Sequence, residues 1–111
     1  KAHYAPRTAL ELASDARLQA VTQGHGLPEG KVVVVAYGDR PAALDARVQW
    51  QAVPADPARY AQALYGLLRD LDKQGYARII VQAPPATDDW HAVNDRIGRA
   101  AAAFTLDTTD L

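Results

Sequence analysis

Residues 56–82, DPARYAQALYGLLRDLDKQGYARIIVQ, constrain the fold more than any other part of the chain. They predict a helix, a tight turn and a strand in direct succession. Asp56 can cap the helix by accepting a hydrogen bond from a backbone N–H, and Pro57 suits the first helical position, where no donor is needed. Apolar side chains then recur at the three-and-four spacing of one helix face: Tyr60, Leu64, Leu67, Leu68 and Leu71.

The strand that follows this helix is predicted to be covered on both faces. Gly75 suits the left-handed residue that ends a helix. Residues 79–81 (IIV) are a continuous β-branched run, which is typical of a strand buried in a parallel sheet. The pattern therefore predicts an α/β fold, namely a small three-layer Rossmann-like domain with a mostly parallel sheet of about five strands flanked by helices.

Three other segments are predicted to supply strands. Residues 9–13 form a short first strand, followed by a short helix that Ser14 or Asp15 can cap. Residues 31–37 (KVVVVAY) are apolar on both faces and predict a central strand. Residues 47–53 (RVQWQAV) alternate apolar and polar side chains, which favours an edge strand with one face in water.

The C-terminal part is predicted to be a loop followed by a final helix. The loop covers residues 83–89 (APPATDD), with Asp88 or Asp89 as the helix cap, and the helix covers residues 90–103. The tail, AFTLDTTDL, is expected either to add a short edge strand or to fray.

Composition restricts the function classes. A chain of 111 residues forms one domain with a core of its own, and with no Cys it has neither disulfides nor thiolate chemistry. A net charge of -1 argues against a basic nucleic-acid surface, and no apolar run reaches the roughly 18 residues of a membrane span. A cytoplasmic protein is expected. Because the chain starts at Lys1 and contains no Met, we interpret it as a fragment of a longer protein.

Residues able to bind metals or catalyse reactions are scattered. His3, His25 and His91 share no metal-ligand spacing, so no metal site is predicted. Asp70 and Asp72 lie on the outer face of the predicted helix and are interpreted as solvated charges. No catalytic residue is predicted.

One candidate ligand crevice lies where the last strand meets the final helix. In open α/β sheets, ligands bind at the carboxyl ends of the strands. Trp90 offers a stacking face there, and His91, Asn94 and Arg96 offer polar contacts. Because Trp90 also fits the apolar stripe of the helix, core packing is favoured over ligand binding.

A second candidate is the N-terminal arm, residues 1–8 (KAHYAPRT). It is rich in functional groups and has no helical or strand period. Arg7 can pair with phosphate oxygens, and His3 and Tyr4 can pack and hydrogen-bond over a ligand. The alternative is a merely flexible terminus.

The arm and two further motifs resemble one protein family. Residues 1–12 (KAHYAPRTALEL) resemble the interdomain linker of long-form threonylcarbamoyl-AMP synthases, which contains HYAP and then a basic residue. Residues 60–85 resemble that family's C-terminal domain, with its LY-x-x-LR-x-x-D helix and following strand, and residues 94–101 match its NDR-[LI]-x-[RK]-AA helix. The chain departs from the pattern at Ala9, where Pro is common, and at residues 87–91 (TDDWH), where many relatives carry Ala and Gly.

The resemblance implies a division of labour. Residues 1–8 would be the linker and residues 9–111 a Rossmann-like accessory domain, whereas catalysis would belong to an N-terminal YrdC-like domain outside this chain. The parent enzyme is implied to be a nucleotidyltransferase that uses ATP, with Mg²⁺, to condense L-threonine and bicarbonate into threonylcarbamoyl-adenylate and pyrophosphate, for tRNA modification. This chain is then not catalytic by itself.

Three hypotheses follow for the chain. The leading one is that the arm closes the catalytic site of its partner domain, with His3, Tyr4 and Arg7 as the closing residues. The alternatives are a regulatory domain that binds a nucleotide or other small ligand, and a protein-docking module. Neither the arm nor the domain is expected to contact nucleic acid or a membrane.

Overall fold

The computed structural model describes residues 6–109 and the side chains of residues 6–102. Four strands, three helices and one short 3-10 turn follow one another along the chain. In order they are β1 (Leu10–Ala13), α1 (Asp15–Thr22), β2 (Val32–Ala36), β3 (Val48–Ala52), α2 (Pro57–Asp72), β4 (Arg78–Gln82), the 3-10 turn (Asp88–Trp90) and α3 (His91–Thr109).

The four strands of the described residues form one parallel sheet in the order β1-β4-β2-β3. This confirms the α/β prediction and the central position of β2, and it places β3 at the edge. The predicted count of about five strands is too high by one. The tail is helical as far as the structure describes it, because α3 continues to Thr109 from the Ala-rich stretch at residues 100–103.

Local sequence signals account for the helix ends. The Ser14 hydroxyl oxygen accepts a hydrogen bond from the Arg17 backbone N–H at 3.2 Å, and the Asp56 carboxylate accepts one from Arg59 N–H at 3.0 Å. Gly75 has the predicted positive φ, 78°. The start of the last helix differs from the prediction, because residues 88–90 form a 3-10 turn and α3 begins one residue later.

Helices cover both faces of the sheet and make three layers. α1 packs on one face, and α2 and α3 pack on the other. Parallel crossovers are right-handed, so connections that run in opposite directions along the sheet place their helices on opposite faces. α1 leads from β1 toward β2, whereas α2 leads back from β3 to β4.

The residues discussed below lie at the two ends of the sheet. We call the end where the strands begin the amino end and the end where they stop the carboxyl end. α2 runs back against the strands, so its last residue, Asp72, lies at the amino end with the start of β1. The first turns of α1 and α3 lie at the carboxyl end.

Candidate functional site

Trp90, the centre of the predicted crevice, lies in the core. Its side chain is 7% exposed. Its ring centroid is 5.2 Å from that of Tyr37 and 6.2 Å from that of Tyr60, which it meets edge-on. These neighbours cover the indole, as the core-packing interpretation expects.

The other predicted crevice residues are spread along α3. Asn94 donates a hydrogen bond from Nδ2 to the Pro85 carbonyl at 2.9 Å, which holds the preceding loop on the helix. His91 is exposed and Arg96 is half-buried. None of these side chains lines the cavity on the opposite face of the sheet.

That cavity has a volume of about 520 Å³ and lies between α1, the loop after β2 and the edge strand β3. The connection from β2 to β3 contains no helix, so α1 alone covers this face and leaves space beside it. Residues that line the cavity include Asp15, Gln19, Thr22, Asp39, Trp50 and Gln82. Two features of the sequence could have indicated this site. Gln82 ends a strand, and the segment between β2 and β3 lacks a helix.

The charge of the cavity disfavours anions. Among the described residues, the ionisable side chains that line it are Asp15 and Asp39, and no Lys, Arg or His of this part of the chain lines it. Gln82 is already used, because its Oε1 accepts hydrogen bonds from the backbone N–H groups of Tyr37 and Gly38 at 3.1 Å each. A phosphate group would meet carboxylates here without a compensating cation.

At the amino end, the described part of the arm is attached to α2 through one carboxylate. Asp72 Oδ2 accepts a hydrogen bond from the Arg7 backbone N–H at 3.0 Å, and Oδ1 accepts bonds from the Thr8 N–H at 2.8 Å and the Thr8 hydroxyl at 2.7 Å. Pro6 is buried beside them. The interpretation of Asp72 as a merely solvated charge is therefore wrong, since its partners lie 64 and 65 residues away in sequence.

Of the three residues predicted to close the catalytic site, one lies within the part of the chain that the structure describes. His3 and Tyr4 lie outside the described residues. Arg7 lies inside them, and its side chain is exposed. Its backbone is held by Asp72, and its guanidinium makes no hydrogen bond or ion pair with any described residue.

A second polar network joins β1, β4 and α1. Glu11 accepts hydrogen bonds from Arg17 Nε at 2.6 Å and from Arg78 Nη1 at 3.0 Å. Arg17 also donates to the carbonyls of His25 and Gly26. The Arg17 hydrogen bond lowers the pKa of the Glu11 carboxyl, against the upward effect of burial, and Arg78 adds to the lowering.

Within residues 6–109, no group of three or more His, Cys, Asp or Glu side chains is placed to hold a metal ion. In the same range no helix combines the length and apolar character that crossing a bilayer requires.

Comparison with known proteins decides the family. Residues 1–102 match the family model described as "Threonylcarbamoyl-AMP synthase, C-terminal domain". The chain belongs to this family. Its members are the C-terminal parts of threonylcarbamoyl-AMP synthases, which serve tRNA modification. The matched range includes both the arm and Asp72.

Other comparisons add only the fold. None of the curated proteins matches this threonylcarbamoyl-AMP synthase C-terminal domain. A similar solved structure is that of OH1 from the Orf virus, a tyrosine phosphatase with triple substrate specificity. The two are 14% identical with a TM-score of 0.53, over 92% of this chain and 68% of the viral one. The likeness supports an α/β architecture and carries no function.

Proposed function

We propose that this chain is the accessory domain of a long-form threonylcarbamoyl-AMP synthase and that its arm closes the catalytic site of an N-terminal YrdC-like domain. The parent reaction is the condensation of L-threonine, bicarbonate and ATP to threonylcarbamoyl-adenylate and pyrophosphate, in the cytoplasm. The Rossmann-like domain then holds the arm in place and performs no chemistry itself.

The observation that carries this proposal is the state of Arg7. Its backbone N–H is bound to the domain, while its guanidinium is exposed and has no partner among the described residues. A cation held at its base and free at its tip suits a phosphate or a carboxylate of another domain. His3 and Tyr4 would lie farther along the arm and exclude water from the closed site.

The division of roles places ATP and Mg²⁺ in the partner domain. The cavity beside α1, as the described residues form it, is lined by carboxylates without a cation, which does not favour a nucleotide there. The arm would contribute electrostatic stabilisation and closure around the nucleotide, which requires donors at fixed positions.

The arm is tested in the intact synthase with the triple variant His3→Ala, Tyr4→Ala, Arg7→Ala. We expect adenylate synthesis to fall about tenfold or more, because removing donors aimed at developing charge has effects of at least this size. Thermal unfolding should be unchanged, since Arg7 is exposed. Wild-type turnover in the triple variant would exclude the closing role.

The same assay shows whether the domain completes the site. Synthesis is measured for the intact protein, for the catalytic domain alone, and for the catalytic domain with this chain added in trans. Restoration by the added chain is expected. Full activity of the catalytic domain alone would instead favour a regulatory or docking role.

A second candidate function is the binding of a small regulatory ligand, favoured by the 520 Å³ cavity beside α1. Calorimetric titration of this chain with ATP, AMP and L-threonine tests it. The two acids that line the cavity, Asp15 and Asp39, predict that neither nucleotide binds there, whereas the ammonium group of threonine fits their charge. No heat at millimolar ligand would remove this candidate. Docking has less support, because Leu12 is the large hydrophobic side chain that is exposed among residues 6–102.

A further inference from the structure

The C-terminal end of α2, where Asp72 lies, is an unusual position for a carboxylate. Asp72 is the last residue of α2, where the negative end of the helix dipole disfavours an acidic side chain. Three donors from the arm compensate, and they come from two consecutive residues, Arg7 and Thr8. Two parallel N–H bonds to one carboxylate fix the direction of the backbone as well as its position.

The attachment also sets how much of the arm is free. β1 begins at Leu10, and the Ala9 carbonyl already accepts a hydrogen bond from Ile79 N–H at 2.9 Å. The bonds to Asp72 extend the fixed backbone by two residues beyond this ladder, to Arg7. Without them, residues 7 and 8 would have to be ordered each time that the arm closes, which costs conformational entropy.

We propose that Asp72 is a positioning residue for the synthase: its carboxylate fixes Arg7 and Thr8 and so directs the arm toward the catalytic domain. This inference rests on the proposed closing role of the arm. In this proposal Asp72 acts through Arg7, whose backbone it holds in place, and not by touching substrate or nucleotide. The term "Asp72 anchor" denotes Asp72 with Arg7 and Thr8.

The first test is Asp72→Asn in the intact synthase, with Asp70→Asn as the matched control. An amide at position 72 has one acceptor oxygen, so one of the two backbone N–H groups loses its partner. Asp70 is an exposed acid near the same helix end, and its side chain makes no bond to residues 6–8, the described part of the arm. We expect kcat to fall about fivefold in Asp72→Asn through the added ordering cost, with KM for ATP changed less than about twofold. Asp70→Asn should match the wild type in both.

A second pair of variants leaves Asp72 in place. Thr8→Val removes the hydroxyl that donates to Oδ1 and keeps the shape of the side chain, whereas Thr8→Ser keeps the hydroxyl. We expect about a threefold fall in kcat for Thr8→Val, because one of the three charge-assisted bonds to the carboxylate is lost, and near wild-type kcat for Thr8→Ser. This pair decides the matter if Asp72→Asn does not fold.

The anchor itself is observed by amide hydrogen exchange on this chain. In the wild type, the Arg7 and Thr8 amides should exchange at least about tenfold more slowly than in Asp72→Asn, because only the wild type protects both. Asp70→Asn should leave both rates unchanged. Equal exchange in the wild type and Asp72→Asn would overturn the proposal.

The outcomes separate this inference from the proposed function. If the triple variant of the arm lowers turnover but Asp72→Asn behaves like Asp70→Asn, the arm closes without the anchor and the inference is wrong. If the triple variant retains full turnover, the closing role fails and the inference fails with it, even where amide exchange shows that the Asp72 bonds form.

Discussion

The two ends of the sheet use their carboxylates in opposite ways. At the amino end, Asp72 accepts three hydrogen bonds from the arm. Between the two ends, Glu11 on β1 is paired with Arg78 at the start of β4 and with Arg17 in the first turn of α1. At the carboxyl end, Asp15 and Asp39 face a cavity and accept no hydrogen bond from another described residue.

Paired carboxylates hold segments of the chain together, whereas unpaired carboxylates line an open cavity. Paired carboxylates fix the arm and β1 to the body of the domain, so the amino end is suited to holding a neighbouring segment in one position. Unpaired carboxylates around a cavity keep their hydration and leave room for a solute. The end usually occupied by ligands in open α/β sheets is thus not the end from which the arm leaves.

The largest effect is expected at Trp90. Trp90→Ala should lower the free energy of unfolding by about 3–5 kcal/mol, because the indole is buried against Tyr37 and Tyr60 and its removal leaves a cavity. Urea unfolding of this chain measures the change. Trp90→Phe is the control and should cost less. A loss below about 1 kcal/mol would show that Trp90 is not packed in the core and would support its role in a ligand crevice.

Glu11→Gln should show a smaller, pH-dependent effect. The pKa of Glu11 is lowered from its ordinary value of 4.5, so its stabilisation is present above that value and is lost as the pH falls through the lowered pKa. We expect a loss of about 1–2 kcal/mol at pH 7, which shrinks in acid. Urea unfolding at pH 7 and pH 3 measures this change.

The exposed Glu29 provides the matched control for this network. Glu29→Gln should change stability by less than about 0.5 kcal/mol at either pH. If Glu11→Gln and Glu29→Gln give the same pH dependence, the arginine pairs do not stabilise the attachment of β1, and the contrast between paired and unpaired carboxylates loses its second support.

Tyr60→Phe should act in the opposite direction. The Tyr60 hydroxyl is fully buried and has no hydrogen-bond partner among the described residues, and burial raises its pKa. Removing it should raise the free energy of unfolding by about 0.5–1 kcal/mol, since an unpaired buried polar group is destabilising. Thermal unfolding checks this, with Tyr76→Phe as the control, because Tyr76 is only half-buried. Destabilisation instead would reveal a partner for the hydroxyl.

The smallest effect is expected at the cavity. Asp39→Asn should change the free energy of unfolding by less than about 0.5 kcal/mol, because its exposed carboxylate makes no bond that the fold needs. The same urea titration applied to Asp72→Asn should show a clear loss. Equal stability effects at positions 39 and 72 would remove the distinction between the two ends.

Local sequence patterns were enough for the framework of the fold. The Asp56 cap, the apolar face of α2 and the Gly75 turn all depend on neighbours within a few residues, and each is confirmed. The uninterrupted valines of β2 likewise required a strand covered on both faces. These features depend on short-range interactions, so they can be predicted from a single sequence.

The remaining features depend on contacts between distant residues. Asp72 has the same charge and helix face as a solvated acid, and only the return of the chain at Thr8 shows its use. The cavity arises because a helix is missing between β2 and β3, a property of the whole layer rather than of any motif. The tail was misjudged because residues that favour a helix weakly can still extend an existing one.

The pairing of β1 with β4 has a consequence for how the domain is synthesised. Leu10 lies next to Ile79 in the sheet, so the first strand has no neighbour until the fourth has left the ribosome. Closing so long a loop is slow compared with forming α2 and β4. We therefore expect β1 to be the last strand to dock during folding, so that the arm gains its contacts with Asp72 only after the other three strands have paired.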